Sequence, residues 1–169
     1  MVEKENKENK KERDFDLEEE YKKLQEKHTE LPKISEMFED FDIYKIDETE
    51  PVYLIRAVRR AVNEKISAYL HLFELFINPS NPPYFVLTAL KNLDESDNVQ
   101  IKEMYKQLSK SQIEVMRLDT VYHEKKEIDF VIKEFGLWQK MKPKIMKIID
   151  KLDEGLDKEE ISKERGYFG

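Results

Sequence analysis

Leu17, Tyr21, Leu24, His28 and Leu31 recur at alternating spacings of four and three among Glu and Lys residues. That narrow apolar stripe predicts a helix over 15–31. Pro32 stops it, because the residue before a proline is pushed out of the α region. A short helical turn is expected over 35–41, with Ser35 as its N-cap. Phe38, Phe41, Ile43, Tyr44 and Ile46 then form an apolar connection, expected to pack as a lid on the core.

Thr49 and Pro51 mark the next start, a cap residue followed by a first-turn proline. The helix, 52–77, ends before Asn78-Pro79. On a wheel of about 100° per residue, Ile55, Val58, Val62, Ile66, Tyr69, Phe73 and Phe76 share one arc. A second arc carries Ala57, Ala61, Ala68, Leu72 and Leu75. Two apolar arcs predict a central helix contacted on two sides, and the alanines let a neighbouring helix come close.

After the turn-rich Asn78–Pro83 loop, a nearly all-apolar helix is expected over 84–93, buried or plugging an interface. Asp94, Ser96 or Asp97 caps the longest predicted helix, 99–135, which Gly136 closes. Trp138, Met141, Ile145, Ile148 and Leu152 stripe a further helix over 137–152. Pro143 is expected to kink it or to delay its start to 142, and Gly155 to end it. Asp157 and Glu160 make a capping box for a last short helix to about 165. Period-two alternation appears over no useful length. The fold class is therefore all-α: an antiparallel bundle of four to five helices with short accessory helices. Residues 1–13 form a charged N-terminal arm, 14–154 the helical bundle, and 155–169 a short C-terminal helix and tail.

Composition narrows the chemistry. With 40% charged and 39% hydrophobic residues, the chain can build a core under a densely charged surface. It contains no cysteine, which excludes disulfides, thiolate metal sites and thiol catalysis. A net charge of −7 repels nucleic acid and anionic lipid, so a nucleic-acid partner would need a local basic patch. No apolar run approaches the roughly 18–20 residues needed to span a bilayer, and the polar opening Met1-Val2-Glu3-Lys4 lacks a signal-peptide core. A cytoplasmic location is expected, with no membrane partner. Abundant Glu, Lys and Ile without cysteine resemble hyperthermophile usage, so a thermostable protein is expected. No P-loop, dinucleotide fingerprint or nucleophile elbow occurs.

The most informative position is Asp119. Ile101, Met104, Tyr105, Leu108, Val115, Met116, Tyr122 and Phe130 define the apolar stripe of helix 99–135, and Asp119 falls at its centre. His123 lies one turn on, about 40° away, and Gln112 and Lys126 share the arc. A buried carboxylate requires compensation worth several kcal/mol. One source is a polar layer, in which Asp119 bonds His123, Lys126, a tyrosine or an arginine of another helix. The other is a metal ion, because a carboxylate and an imidazole one turn apart can chelate from a single helix.

The preceding long helix offers His71-Leu-Phe-Glu74, with Glu64 two turns before His71. Together with Asp119-Thr-Val-Tyr-His123 and Glu127 one turn further, this set resembles the ferritin-like di-iron carboxylate bundles. Those proteins place a lone Glu on two helices and Glu-x-x-His on the other two. His71-Leu-Phe-Glu74 carries that spacing in reversed order, and Asp119 to His123 is one residue longer. The comparison spans 64–127, where no true Glu-x-x-His occurs. The resemblance implies a metal ion held by His71, Glu74, Asp119, His123, Glu127 and Glu64, with iron favoured over zinc or manganese. Any enzymatic activity would then be metal-dependent redox chemistry, although a non-enzymatic role is the main expectation. His28 is a further candidate imidazole.

Register decides whether that set can meet. If helices 52–77 and 99–135 pack antiparallel, His71 falls beside Tyr105 and Asp119 faces Ala57, so that Arg56 or Arg60 becomes its natural partner. Arg56, Arg59 and Arg60 form the sharpest basic cluster, suited to a phosphate, an acidic helix or a nucleic-acid backbone, or to pairing within the chain. Residues 155–166 are similar to the first helix and turn of helix-turn-helix modules, with no recognition helix after them in this sequence. Three readings follow: a metal-binding helical protein, an interaction or scaffold protein that binds a protein partner or a second copy as a homodimer, and a nucleic-acid accessory factor using the arginines.

Overall fold

The computed structural model describes residues 15–46, 53–80 and 83–166. Six α-helices appear among them: α1 (Leu17–Lys27), α2 (Ile34–Phe41), α3 (Leu54–Ile77), α4 (Tyr84–Leu90), α5 (Glu95–Thr120) and α6 (Glu124–Gly166). A single 3-10 turn, Ile43–Lys45, follows α2. The protein is an all-α bundle in which α3, α5 and α6 pack around one core. The N-terminal arm, the Thr49–Pro51 helix start and the tail beyond 166 lie outside the described residues.

A heptad seam runs through all three long helices. Ile55, Arg59, Val62, Ile66, Phe73 and Phe76 of α3 are buried, as are Asp97, Ile101, Met104, Leu108, Ser111, Val115 and Leu118 of α5. On α6 the buried run is Glu127, Val131, Glu134, Trp138, Met141, Ile145 and Ile148. Alternating steps of three and four keep one face of each helix toward its partners. Cross-helix bonds fix the directions. Asn63 and Ser67 of α3 meet Gln112, while Arg56 reaches the Leu118 carbonyl, so α3 and α5 are antiparallel. Ser111 meets Glu134 and Asp97 meets Lys151, so α5 and α6 are antiparallel too.

Several boundaries differ from expectation: α1 ends at Lys27 rather than 31 and α4 at Leu90 rather than 93, and the larger differences lie in α5 and α6. The long helix expected over 99–135 is two helices, α5 and α6, joined by a sharp turn at Val121–His123. Val121 is extended (φ −145°, ψ 122°), and Thr120 and Val121 are β-branched residues of low helix propensity. The apolar stripe hid the turn, because Leu108, Val115, Tyr122 and Phe130 keep near-heptad spacing straight across it. Conversely, Gly136, Pro143 and Gly155 end nothing, since α6 runs through all three to Gly166. The seam explains this for Gly136 and Pro143: buried residues before and after each of them pack on the neighbouring helices, which outweighs about 1 kcal/mol for a glycine and about 3 for a proline. The separate C-terminal helix and its helix-turn-helix likeness are thus the last turns of α6, and the Asp157 and Glu160 side chains lie outside the described residues.

The N-terminal elements cover one side. Tyr21, fully buried, donates its hydroxyl to the Pro32 carbonyl at 3.0 Å, and Gln25 donates to the same oxygen at 2.8 Å. Burial, with Glu36 nearby, pushes the Tyr21 hydroxyl well above the ordinary tyrosine range. The cap position of α2 is Lys33 rather than Ser35, and the Glu36 carboxylate accepts from its backbone N–H. Asp42 then turns the chain in the left-handed region (φ 53°, ψ 32°), which a short polar side chain tolerates. Phe41 packs on Phe135 and Trp138, and Phe41 and Ile43 are buried, but Tyr44 of the expected lid is exposed.

Candidate functional site

Arg59 is the centre of the molecule's most charged interior. It sits at a seam position of α3, 1% exposed, and its guanidinium reaches both sides of the α5–α6 turn. Its Nε donates to Oε2 of Glu127 at 2.8 Å, and a terminal nitrogen donates to Oδ1 of Asp119 at 2.5 Å. One turn earlier, Arg56 lies 3.4 Å from the second Glu127 oxygen and donates to the Leu118 carbonyl at 2.9 Å. That carbonyl belongs to the last turn of α5, where intrahelical donors run out. Tyr122 stacks on Tyr53 with centroids 4.0 Å apart, and the Arg56 guanidinium lies 5.5 Å from the Tyr122 ring.

The charges balance. Two arginines face two carboxylates, and the most deeply buried pair, Arg59 and Glu127, carries one charge of each sign. Such a pair loses hydration on both ions and recovers it only through close, directional contact. Asp119 is not at the centre of a buried stripe as expected; its side chain is 55% exposed. The stripe centred on it includes Met116, which is 67% exposed, and Tyr122 and Phe130, which lie beyond the turn, whereas the buried seam of α5 runs through Val115 and Leu118. Its compensating arginine is Arg59, between the two candidates that the antiparallel register nominates.

The remaining proposed ligands are scattered. His123 is exposed on the turn, and His71, Glu74 and Glu64 are exposed on α3. His71 lies twelve residues beyond Arg59, about 18 Å along the helix at 1.5 Å per residue. His28 is half-buried and approaches Glu124 at 3.8 Å. Asp119 and Glu127 are therefore brought together, but by an arginine. Among the described residues no group of three or more His, Asp or Glu side chains is placed to hold a metal ion. The arginine cluster is divided as well: Arg59 is buried, Arg56 half-buried and Arg60 exposed. No described helix is long and apolar enough to cross a membrane.

Comparison with family models, with curated proteins and with solved structures finds no match.

Three further polar latches tie α6 down, and the sequence patterns above single out none of them. Glu134, 1% exposed, accepts from Ser111 at 2.8 Å and lies 2.9 Å from Lys133, which also pairs with Glu114. Burial pulls the Lys133 ammonium down, but the two glutamates more than offset it and hold it above the ordinary range. Lys151 joins Asp94 at 2.9 Å and buried Asp97 at 2.5 Å, the two members of the α5 capping box. Asp40 of α2 accepts from Gln139 and Lys142, each at 2.6 Å. Burial raises the Asp40 carboxyl, yet these donors bring it below its usual value. The signal for Glu134, and for Glu127 of the arginine layer, is present in the sequence: Glu127, Glu134, Met141 and Ile148 are spaced by sevens. It becomes visible only once α6 is counted as one helix.

The outer face of α3 is a different kind of surface. Beside Ala57, Ala61 and Ala68 lies an open groove of about 420 Å³, walled on the other side by Phe41, Lys45 and Ile46. Ala68 is exposed, and Leu75, further along the same face, is 40% exposed. The second apolar arc predicted for this helix is thus only partly open: Ala57 is buried, Ala61 and Leu72 pack against the core, and exposed Glu64 and His71 lie beside Ala68.

Proposed function

We propose that this chain is a non-enzymatic helical interaction protein, whose Arg59 layer holds the bundle in one register and whose α3 face engages a protein partner. The observation that supports this most directly is the open groove along α3. Ala68 and Leu75 are exposed on that helix, and Lys45, Arg60, Glu64 and Lys65 line the groove together with Phe41 and Ile46. The polar layer supplies what a scaffold needs, because charged groups at seam positions favour one alignment of helices over its slipped alternatives.

A metal site built on Asp119, His123 and Glu127 would compete with Arg59 and Arg56 for the same carboxylate oxygens. Elemental analysis of dialysed protein, before and after anaerobic loading with iron, zinc or manganese, separates the two readings. The interaction reading expects no stoichiometric metal and an unchanged melting temperature. Near-stoichiometric metal that disappears in Asp119→Ala and His123→Ala would overturn it in favour of the metal centre. A salt-sensitive gel shift with nucleic acid, lost in Arg60→Ala, would instead favour the accessory-factor reading.

A further inference from the structure

We infer that the solvent face of α5 is a second docking surface, which takes an acidic amphipathic helix of another protein. The surface is separate from the α3 groove and stands on its own residues, so either can fail without the other.

On a wheel of about 100° per residue, Lys102, Lys106, Lys110, Ile113, Met116 and Arg117 fall on the side of α5 away from its buried seam, and all six are exposed. Met116 is 67% exposed, Ile113 51%, and Val121, in the turn just past the helix, 71%. Ile113 and Met116 are neighbours at i, i+3, with Thr120 one turn on. They form one patch, whereas exposed apolar residues scattered singly would call for no explanation.

The cations sit where the fold gains little from them. Lys102, Lys106 and Lys110 follow one another at i, i+4, a spacing at which like charges repel, although the chain has 37 acidic residues against 30 basic ones. Among the described residues none of the three, nor Arg117, forms an ion pair, whereas Lys133, Lys142 and Lys151 each hold two carboxylates. The carboxylates beside this stretch are engaged elsewhere, Glu114 by Lys133 and Asp119 by Arg59. Glu103, at the edge of the face, is the one left over.

Cations beside exposed apolar side chains match a partner with carboxylates and apolar anchors on one surface. A helix with an apolar stripe flanked by glutamates meets both, its stripe on Ile113, Met116 and Val121 and its carboxylates on the lysine run. A phosphate backbone would use the cations and leave the apolar patch in water, and the net charge of −7 repels it. A second copy supplies the charge without the anchors. Its acidic helices are α1 and α2, with Glu18, Glu19, Glu36 and Glu39 exposed, and neither helix carries an exposed large apolar side chain.

From Lys102 to Val121 the surface runs about 28 Å, at 1.5 Å per residue. Covered to the width of one helix, about 10 Å, it buries roughly 300 Å² per partner. That is under half of the roughly 800 Å² per partner in a standard interface. The contact is therefore transient, with a micromolar or weaker dissociation constant, and it weakens as salt screens it.

The probe is a labelled synthetic helix of about twenty residues, with leucine at i, i+3, i+4 and i+7 and glutamate on its flanks, read by fluorescence anisotropy against the full chain at low salt. It should bind, and replacing either its glutamates by glutamine or its leucines by alanine should weaken binding. On the protein, Lys106→Glu with Lys110→Glu should lower affinity about tenfold or more. Ile113→Gln with Met116→Gln should lower it about tenfold, with folding checked by circular dichroism. Met146→Gln, at a residue 52% exposed on α6, should change nothing. A peptide that fails to bind at low salt, or binds indifferently to either pair of substitutions, would overturn the inference. So would an oligonucleotide whose binding needs the lysines but not Ile113 and Met116, which makes the surface a polyanion site. A concentration-dependent dimer lost in Met116→Gln would overturn it too, in favour of a self-interface. None of these variants touches the α3 groove.

Discussion

Arg59 and Glu127 are sixty-eight residues apart in the chain and meet through a 2.8 Å bond, with neither side chain more than 1% exposed. They join α3 to the first turn of α6. Through Asp119, the same guanidinium also holds the end of α5.

Truncating this pair on one side only is expected to be severe. Arg59→Met leaves Glu127 buried without its strongest partner and should cost about 3–5 kcal/mol. The double variant Arg59→Met with Glu127→Leu should recover most of that loss, because an apolar pair of similar volume has no ions to desolvate. Urea denaturation of the two singles and the double checks this, read as midpoint shifts at constant slope. Equal losses in the single and the double would contradict it.

Gly136 sits inside α6, and a methyl group added there would meet nothing within 4 Å. Gly136→Ala should therefore stabilise the protein by about 0.5–1 kcal/mol, the difference between glycine and alanine in a helix interior. A thermal melt is the measurement, and a lowered midpoint would show that the backbone at 136 is not ordinary helix.

Acid should loosen two latches in sequence space far apart but similar in kind. The carboxyl of Asp94 is held down to about 2 by Lys151 and the Asp97 backbone N–H, and Asp40 is also lowered by Lys142 and Gln139 against the opposing effect of burial. A carboxyl with a depressed folded value stabilises the fold above its unfolded value and loses that contribution as pH falls through the folded one. Melting temperature should thus drop between about pH 4 and pH 2, and Asp40→Asn should make that drop shallower. A pH-independent melting temperature across this window would contradict the assignment.

The basic partners predict the opposite limb. Asp40 raises the Lys142 ammonium, and Asp97 with Asp94 raises that of Lys151. Groups raised on folding stabilise it below their unfolded value and cease to do so as pH climbs through the folded one. Stability should fall above about pH 10.5, the unfolded lysine value. Lys151→Met should remove part of that alkaline loss, as read from melts between pH 9 and pH 12.

Most of the architecture is legible along the chain because burying apolar surface at a 3.6-residue period leaves its mark on every helix. The 52–77 stripe describes α3 almost to the residue, and Asp94, one of three cap candidates, opens α5 four residues before the expected start. The α5–α6 turn escaped because apolar spacing stayed in phase across Val121–His123, so a local pattern could not distinguish one helix from two. Gly136 and Pro143 misled for the complementary reason: their local cost is smaller than what the packed seam returns.

What the sequence alone determined is the helical class, the apolar faces and the absence of thiol chemistry, since each depends on residue type and local spacing. Tertiary structure decided which carboxylates meet which cations. Asp119 and Glu127 have the residue types of metal ligands, yet the direction in which α3 crosses the α5–α6 turn gives both of them to Arg59. Ion pairing depends on contacts within a few ångströms between residues far apart in the chain, and no period along one helix encodes that distance.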